Sequence, residues 1–331
     1  MKVLVLDFGG SSVKYSVIDS DGTRTNAGEA PAPVHSPEEY RDCVVGLYEQ
    51  FKDIVEGIAI SMAGIVNPST GELVMGGAYL PLWGKNIFDL ICPHLPVPVS
   101  LMNDGKAAAL AEAWNGSLSD IQDGAVFIIG SGLAGGIILN RQLLMGHGFA
   151  AGEFSYMHLT TKIGMMTSSM GESSMSGLLF KASMALGIDY KKCAYYGNTK
   201  GWDSYMRKCI EEQTFSALND EPRFEHGVDG RNFMELVNEG NEIALQVYDE
   251  FLEGVYTNLS TIQAVLDPEV IAVGGGITHA PRFIPDLAKK VEIGNATGFN
   301  RPIVLRPCTV TGSPNEYGAA YHFFRTNGIL Q

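Results

Sequence analysis

The chain has 331 residues, 45% of them hydrophobic, and a net charge of −14 at pH 7. This is enough for two ordinary domains with sizeable cores. The acidic balance argues against a nucleic-acid-binding surface, and the lack of any run of 18 apolar residues argues against a spanning helix. The chain enters an apolar strand pattern within three residues, with no basic segment before it, so no signal peptide is expected. Cys43, Cys92, Cys193, Cys209 and Cys308 are scattered and never spaced Cys-x-x-Cys. Reduced thiols and a cytoplasmic location are expected.

The first elements are two apolar strands, residues 3–6 and 13–18, joined through Asp7-Phe8-Gly9-Gly10-Ser11-Ser12. An Asp21-Gly22 turn and a polar, proline-bearing stretch follow. A helix is expected over 37–51, with Ser36 as N-cap and Glu39 three residues on, a capping-box pattern. Residues 56–61 read as a strand ending in the small-residue loop Met62-Ala63-Gly64, and 97–101 as another strand. Residues 104–114, rich in alanine, read as a helix. Strands and helices alternate, as in an α/β domain with a mixed sheet.

The opening design repeats near residue 124. Val126-Phe127-Ile128-Ile129-Gly130-Ser131-Gly132 is a strand and a tight turn, and Ala134-Gly135-Gly136 leads into the apolar run 137–139. Residues 157–190, rich in Met and Ser, give no clear assignment. Residues 190–228 are polar and aromatic, with Tyr195, Tyr196, Trp202 and Tyr205. Helical spacing returns over 232–239 and 241–266, stopped by Asp267-Pro268. A short buried strand, 270–273, then runs into Gly274-Gly275-Gly276. A helix over 285–291, a strand over 303–305 and a helix over 315–325 complete the chain.

Glycine turns let backbone approach a ligand, and hydroxyls with free N–H groups suit an anion such as phosphate. Two such turns suggest a nucleotide held by two related halves. Asp7, at a buried strand end, could orient a hydrated Mg²⁺ on a polyphosphate, or only shape the turn. Lys14 could touch phosphate or be a solvated strand residue. Asn103-Asp104 has the form of a helix N-cap pair, or Asp104 could be a general base kept ionised by the helix N-terminus. The Gly274 to Gly276 run could be a packing turn or a bed for a flat base. No Walker pattern is present, and the dinucleotide fingerprint fits poorly because Gly130-x-Gly132 leads into a strand. His147 and His158 flank Glu153-Phe154-Ser155-Tyr156, but neither histidine spacing nor cysteines support a metal there.

In this order, these segments resemble the ROK family of bacterial sugar kinases, within the actin-like ATPase superfamily. Asp7 to Lys14 resembles its first phosphate motif. Asn103-Asp104-Gly105-Lys106-Ala107-Ala108-Ala109-Leu110-Ala111-Glu112 resembles the segment carrying its catalytic Asp. Gly130 to Gly146 with Ala151-Gly152-Glu153 resembles its signature with the second phosphate motif. Asp267 to Gly276 resembles its adenosine motif.

The resemblance implies two actin-like (ribonuclease H-like) α/β domains with mixed sheets and an inter-domain cleft. They are expected over 1–118 and 119–314, with the last helix (315–331) packing back on the first. It implies ATP and Mg²⁺ as cofactors, phosphoryl transfer to a sugar hydroxyl, most often the 6-OH of a hexose or hexoside, and a homodimer. Asp104 would be the catalytic base. Gly9, Gly10, Ser11, Lys14, Ser131, Gly132, Gly274, Gly275 and Gly276 would bind ATP. Gly64, Asn103, Asp104, Glu153 and Tyr156 would line the sugar site, and Asp7 would hold Mg²⁺ indirectly. The alternative is a non-catalytic sugar-binding or regulatory member. Two departures stand out. Tyr156 occupies the place of a family histidine, and no cysteines follow it, so no zinc site is expected. An aromatic at 156 would favour a β-glucoside or modified hexose, or would fill the space of the lost metal. Whether His147, His158 or Glu172 reaches the sugar is left open, and residues 190–228 have no counterpart in the resemblance.

Overall fold

The computed structural model describes residues 1–160, 164–199, 204–298 and 301–330. Trp202, within the polar-aromatic segment, lies outside them. The chain divides into two compact units, one of Met1–Val126, Gly135–Gly152 and Cys308–Gln331, the other of Phe127–Ala134 and Glu153–Pro307.

In the first unit the described elements are β1 (Lys2–Phe8), β2 (Ser12–Asp19), β3 (Arg24–Pro31), α1 (Pro37–Phe51), β4 (Ile58–Met62), β5 (Ile65–Val66), β6 (Glu72–Met75), β7 (Lys85–Asn86), α2 (Ile87–Ile91), β8 (Val99–Asn103) and α3 (Asp104–Asn115). The main sheet has the order β3-β2-β1-β4-β8. It is mixed, with β1 antiparallel to β2 and parallel to β4, and β4 parallel to β8. The remaining strands β5, β6 and β7 form a small separate sheet. Helix α1 starts at Ser36, whose side chain accepts from the Glu39 N–H.

β1 is buried on both faces, which is why it reads as an unbroken apolar run. Leu4, Leu6 and Phe8 enter one core with Tyr40, Val44 and Ile60. Val3 and Val5 enter another with Ala59, Ala319, Phe323 and Phe324. The period of two places Asp7 on the second face.

The polar stretch after Asp21-Gly22 forms β3, which the sequence pattern misses. Its side chains are mostly exposed, so it carries no apolar alternation, and it pairs only with β2 in its sheet.

The chain continues through β9 (Gly124–Ile129), β10 (Leu133–Leu139) and β11 (Gln142–Leu143). With β12 (Val270–Gly274) and β13 (Leu305–Pro307) they make a second sheet, order β11-β10-β9-β12-β13, and the division into units falls within β9 and β10. The second unit's helices are α4 (Ser169–Ser173), α5 (Met175–Leu186), α6 (Tyr196–Thr199), α7 (Ser204–Glu211), α8 (Gly230–Glu239), α9 (Glu242–Leu266) and α10 (Phe283–Ala296). Helix α5 had no sequence signature because it is buried nearly all round, which erases amphipathic spacing. Helix α10 runs further in both directions than expected, and β13 begins where the expected strand ends. The final helix, α11 (Pro314–Thr326), belongs to the first unit and supplies Ala319, Ala320, Phe323 and Phe324 to its core.

Candidate active site

In the first unit, the sheet brings three strand ends together. Asp7 lies opposite Ser61 on β4, and Met62 opposite Asn103 on β8. Ser61 Oγ donates to Asp7 Oδ1 at 2.8 Å. Asn315, in the first turn of α11, donates to both Asp7 oxygens at 3.4 and 3.3 Å. Burial, with the like charges of Asp104 and Glu316 adding to it, pushes the Asp7 carboxyl up to about 6 against these hydrogen bonds. Glu316 itself is buried and paired with Arg24 at 2.9 Å, and it accepts from Ser16.

The turn after Asp7 is pinned from below. Phe8 stacks on Tyr40 and meets Tyr79 edge-on, and the Tyr79 hydroxyl donates to the Gly9 carbonyl at 2.7 Å. Gly10 and Ser11 are exposed at the tip, and Lys14, opposite Asp7 on β2, is exposed.

Asn103 is the N-cap of α3, its Oδ1 accepting from the Lys106 N–H. Its amide nitrogen donates to the Gly64 carbonyl at 2.9 Å and to Asp104 Oδ1 at 3.2 Å. The Gly105 N–H donates to the same Asp104 oxygen at 2.8 Å. Two donors thus converge on one Asp104 oxygen at the N-terminus of α3. The two readings of Asn103-Asp104 are therefore compatible, since Asn103 caps the helix and holds the Asp104 carboxylate in one orientation. Gly64 adopts φ +118°, and a Cβ there would lie 2.9 Å from the Leu73 side chain, so this loop requires glycine. At the far end of α3, buried Glu112 accepts from the Ser117, Thr309 and Val310 N–H groups at 2.7, 3.0 and 2.9 Å.

In the second unit, the turn at Gly130, Ser131 and Gly132 meets the start of α5. The Met175 N–H donates to the Gly130 carbonyl and the Ser176 N–H to the Ser131 carbonyl. Ser155 braces the turn, its Oγ accepting from the Leu133 N–H at 2.9 Å and donating to the Leu133 carbonyl at 2.6 Å. The three glycines after β12 divide in role. Gly274 is buried within the strand. Gly275 has φ +107°, and a Cβ there would lie 2.1 Å from the Ile129 carbonyl oxygen, whereas Gly276 faces open space. Gly275 is thus the packing turn, and Gly276 leaves room beside the backbone. Gly276 edges a cavity of about 600 Å³ walled by Met175 and Leu179 of α5, Met234 and Asn238 of α8, and the segment from Cys193 to Tyr195. That volume suits a drug-sized or nucleoside ligand. Met175 is common to the turn and the cavity, so the two adjoin.

Glu153 precedes a short 3-10 turn, and Tyr156 at its end is 55% exposed. So exposed a ring contributes little to a core. Among the described residues no three His, Cys, Asp or Glu side chains gather as a metal site. Sequence reasoning missed Ser61, Tyr79, Asn315 and the cavity walls. Ser61 could have been found as the residue ending a strand parallel to β1, and Asn315 as the first polar residue after a helix-starting proline. Nothing local marks the Cys193 to Tyr195 segment.

The ROK family model matches residues 3–322. The chain belongs to the ROK family. It is 27% identical over 325 residues to the beta-glucoside kinase of Listeria monocytogenes, covering 98% of each chain. Among solved structures, the Lmo2764 protein of Listeria monocytogenes aligns over 99% of this chain and 100% of its own, at 26% identity and a TM-score of 0.78. A ROK family glucokinase from Streptomyces griseus, in complex with glucose and AMPPNP, shares the fold at 19% identity and a TM-score of 0.73, covering 97% and 98% of the two chains. The two-domain, actin-like α/β fold with mixed sheets that the resemblance implies is thus the fold of this protein.

Proposed function

We propose that this ROK-family sugar kinase transfers the γ-phosphoryl group of ATP to the 6-hydroxyl of a hexose, with a β-glucoside as the preferred acceptor. The observation that carries the reading is the fixed Asp104 carboxylate, held by Asn103 and the Gly105 N–H at the start of α3. Its carboxylate would accept the proton of the attacking sugar hydroxyl as the hydroxyl oxygen bonds to phosphorus and the bond to ADP breaks. Catalysis of this kind is mostly positioning and charge stabilisation.

Asn103 would orient Asp104 and offer its remaining lone pair to the sugar, with Gly64 and Glu153 as further contacts. The turns at Gly9, Gly10 and Ser11 and at Ser131 and Gly132 would hold phosphates through backbone N–H groups, with Lys14 as a nearby cation. The cavity beside Gly276 would take the adenine. Asp7 suits Mg²⁺ held through water and phosphate. Its oxygens are hard donors, and its carboxyl is raised by burial and like charge, a deficit that a cation would offset. Bound there, Mg²⁺ would neutralise charge on the phosphates. A homodimer in the cytoplasm completes the proposal.

Support for the β-glucoside comes from the relative above and from Tyr156, whose exposed ring could stack on an aglycone. The test is ATP consumption with a panel of glucose, N-acetylglucosamine and aryl β-glucosides. β-Glucosides should give the highest kcat/KM, and Tyr156→Ala should compress their advantage over glucose about tenfold. No ATP consumption with any sugar would favour the regulatory alternative. An unchanged ratio in the variant would remove Tyr156 from specificity.

A further inference from the structure

The first unit holds a cavity of about 220 Å³ that none of the roles above uses. Its floor is apolar. Met102 and Leu110 pack there with Leu143, Met145 and Tyr321 around a small core of their own. Its rim is cationic, in a chain whose net charge is −14. Arg141 and Arg325 both line it, and both are exposed. Arg141 is held by the carbonyls of Ser119 and Ile121 at 3.0 and 3.2 Å. Arg325 is held by the Tyr321 hydroxyl at 3.1 Å and lies over its ring. Among the described residues neither guanidinium has a carboxylate partner. Each is therefore oriented by neutral groups, with donors to spare. His322 also lines the cavity, and no hydrogen bond to its ring is found among the described residues. Burial pushes its imidazolium down to about 4, so near neutral pH it offers a neutral ring whose protonation an entering anion would favour.

We propose that this cavity is a second ligand site, built for a small aromatic carboxylate. The volume takes a single ring, the floor of Met, Leu and Tyr side chains suits its faces, and planar guanidinium forks match a carboxylate. The floor also gives the site a reason to exist. Met102 immediately precedes Asn103, and Leu110 lies on the helix that begins at Asp104. A ligand seated there would press on the strand-to-helix junction that sets the Asp104 carboxylate.

The test uses the full chain and salicylate as probe, followed by its own fluorescence, with saturating ATP present to occupy the nucleotide site. Saturable one-to-one binding is expected, weakened about tenfold or more by Arg325→Gln or Arg141→Gln. Leu143→Trp, which fills the cavity while leaving both arginines, should abolish it. Salicylamide, the neutral analogue, should bind at least tenfold more weakly than salicylate. Thermal melting and sugar-dependent ATP consumption in each variant establish that it is folded. Absence of saturable binding in the folded wild-type protein, equal binding of salicylamide, or unchanged affinity in folded Leu143→Trp would each overturn the proposal. These readouts do not depend on which sugar is phosphorylated, so they can fail independently of the kinase assignment.

Discussion

The two glycine turns have one design and opposite electrostatics. Aligned on Gly9 and Gly130, Asp7 in the first corresponds to Ile128 in the second. The first turn ends a strand carrying a half-buried carboxyl, braced by Ser61 and Asn315. The second has an apolar strand end and receives the N-terminal residues of α5, a 12-residue helix. A buried carboxylate attracts cations, and a helix N-terminus attracts anions. On the proposed function the first turn would serve a metal and the second a phosphate chain, the difference lying in what packs against each rather than in the glycines.

The predictions test that division of labour. The largest effect should come from Asp104→Asn, which can still cap the helix but cannot take a proton. A loss of roughly 10²–10⁴-fold in kcat with sugar binding retained is expected, read by steady-state kinetics and calorimetry. Near-normal turnover would remove Asp104 from the chemistry.

Asp7→Asn should cost about 10²-fold or more in activity and weaken the dependence on Mg²⁺, while making the protein more stable. Because the folded carboxyl is raised to about 6 from 3.8, the wild type keeps this group's contribution below pH 3.8 and loses it as pH rises through 6. Removing the charge should recover about 1–3 kcal/mol at pH 7.5, discounted for residual solvation. A melting temperature that falls at pH 7.5 would refute the electrostatic account. In the ligand-free wild type, kcat/KM for MgATP should drop below an apparent pKa near 6.

In the second half, Gly275→Ala should destabilise by several kcal/mol, because its Cβ would collide with the Ile129 carbonyl at a left-handed φ. Gly276→Ala should fold normally and raise the KM for ATP severalfold. Equal melting temperatures for the two variants would show that the run is not divided as described. Ser131→Ala should change kcat/KM by only a few-fold, since on the proposed function the turn would act through backbone N–H groups. The smallest effect expected is none. Chelators should leave the melting temperature unchanged, as α4 is tied to α9 by Ser169, Ser173 and Asn258 at 2.6 and 2.9 Å. One zinc per chain by elemental analysis would contradict this.

What the sequence made legible followed burial pattern. β1, β12, α1 and α9 announce themselves by apolar runs, spacing or caps that their neighbours satisfy locally. Helix α5 and strand β3 do not, the first buried nearly all round and the second nearly all exposed. The candidate site divides likewise. Asp7, the glycine turns and Asn103-Asp104 are local signals. Ser61, Tyr79 and Asn315 are not, because their roles exist only through strand register and the packing of α11. The Asn103 amide shows a further limit, since spacing could not reveal that one residue both caps a helix and steers a carboxylate.

The partnership of Asp7 with Asn315 sets a timetable. On a ribosome, the seventh residue is made first and its partner comes 308 positions later. Until then β1 also lacks Phe323 and Phe324 on one of its faces, so an apolar strand waits while the whole second unit is translated. A nascent or prematurely terminated chain should therefore be catalytically silent and dependent on chaperones. Loss of the last twenty residues should be felt first at the opposite end of the sequence.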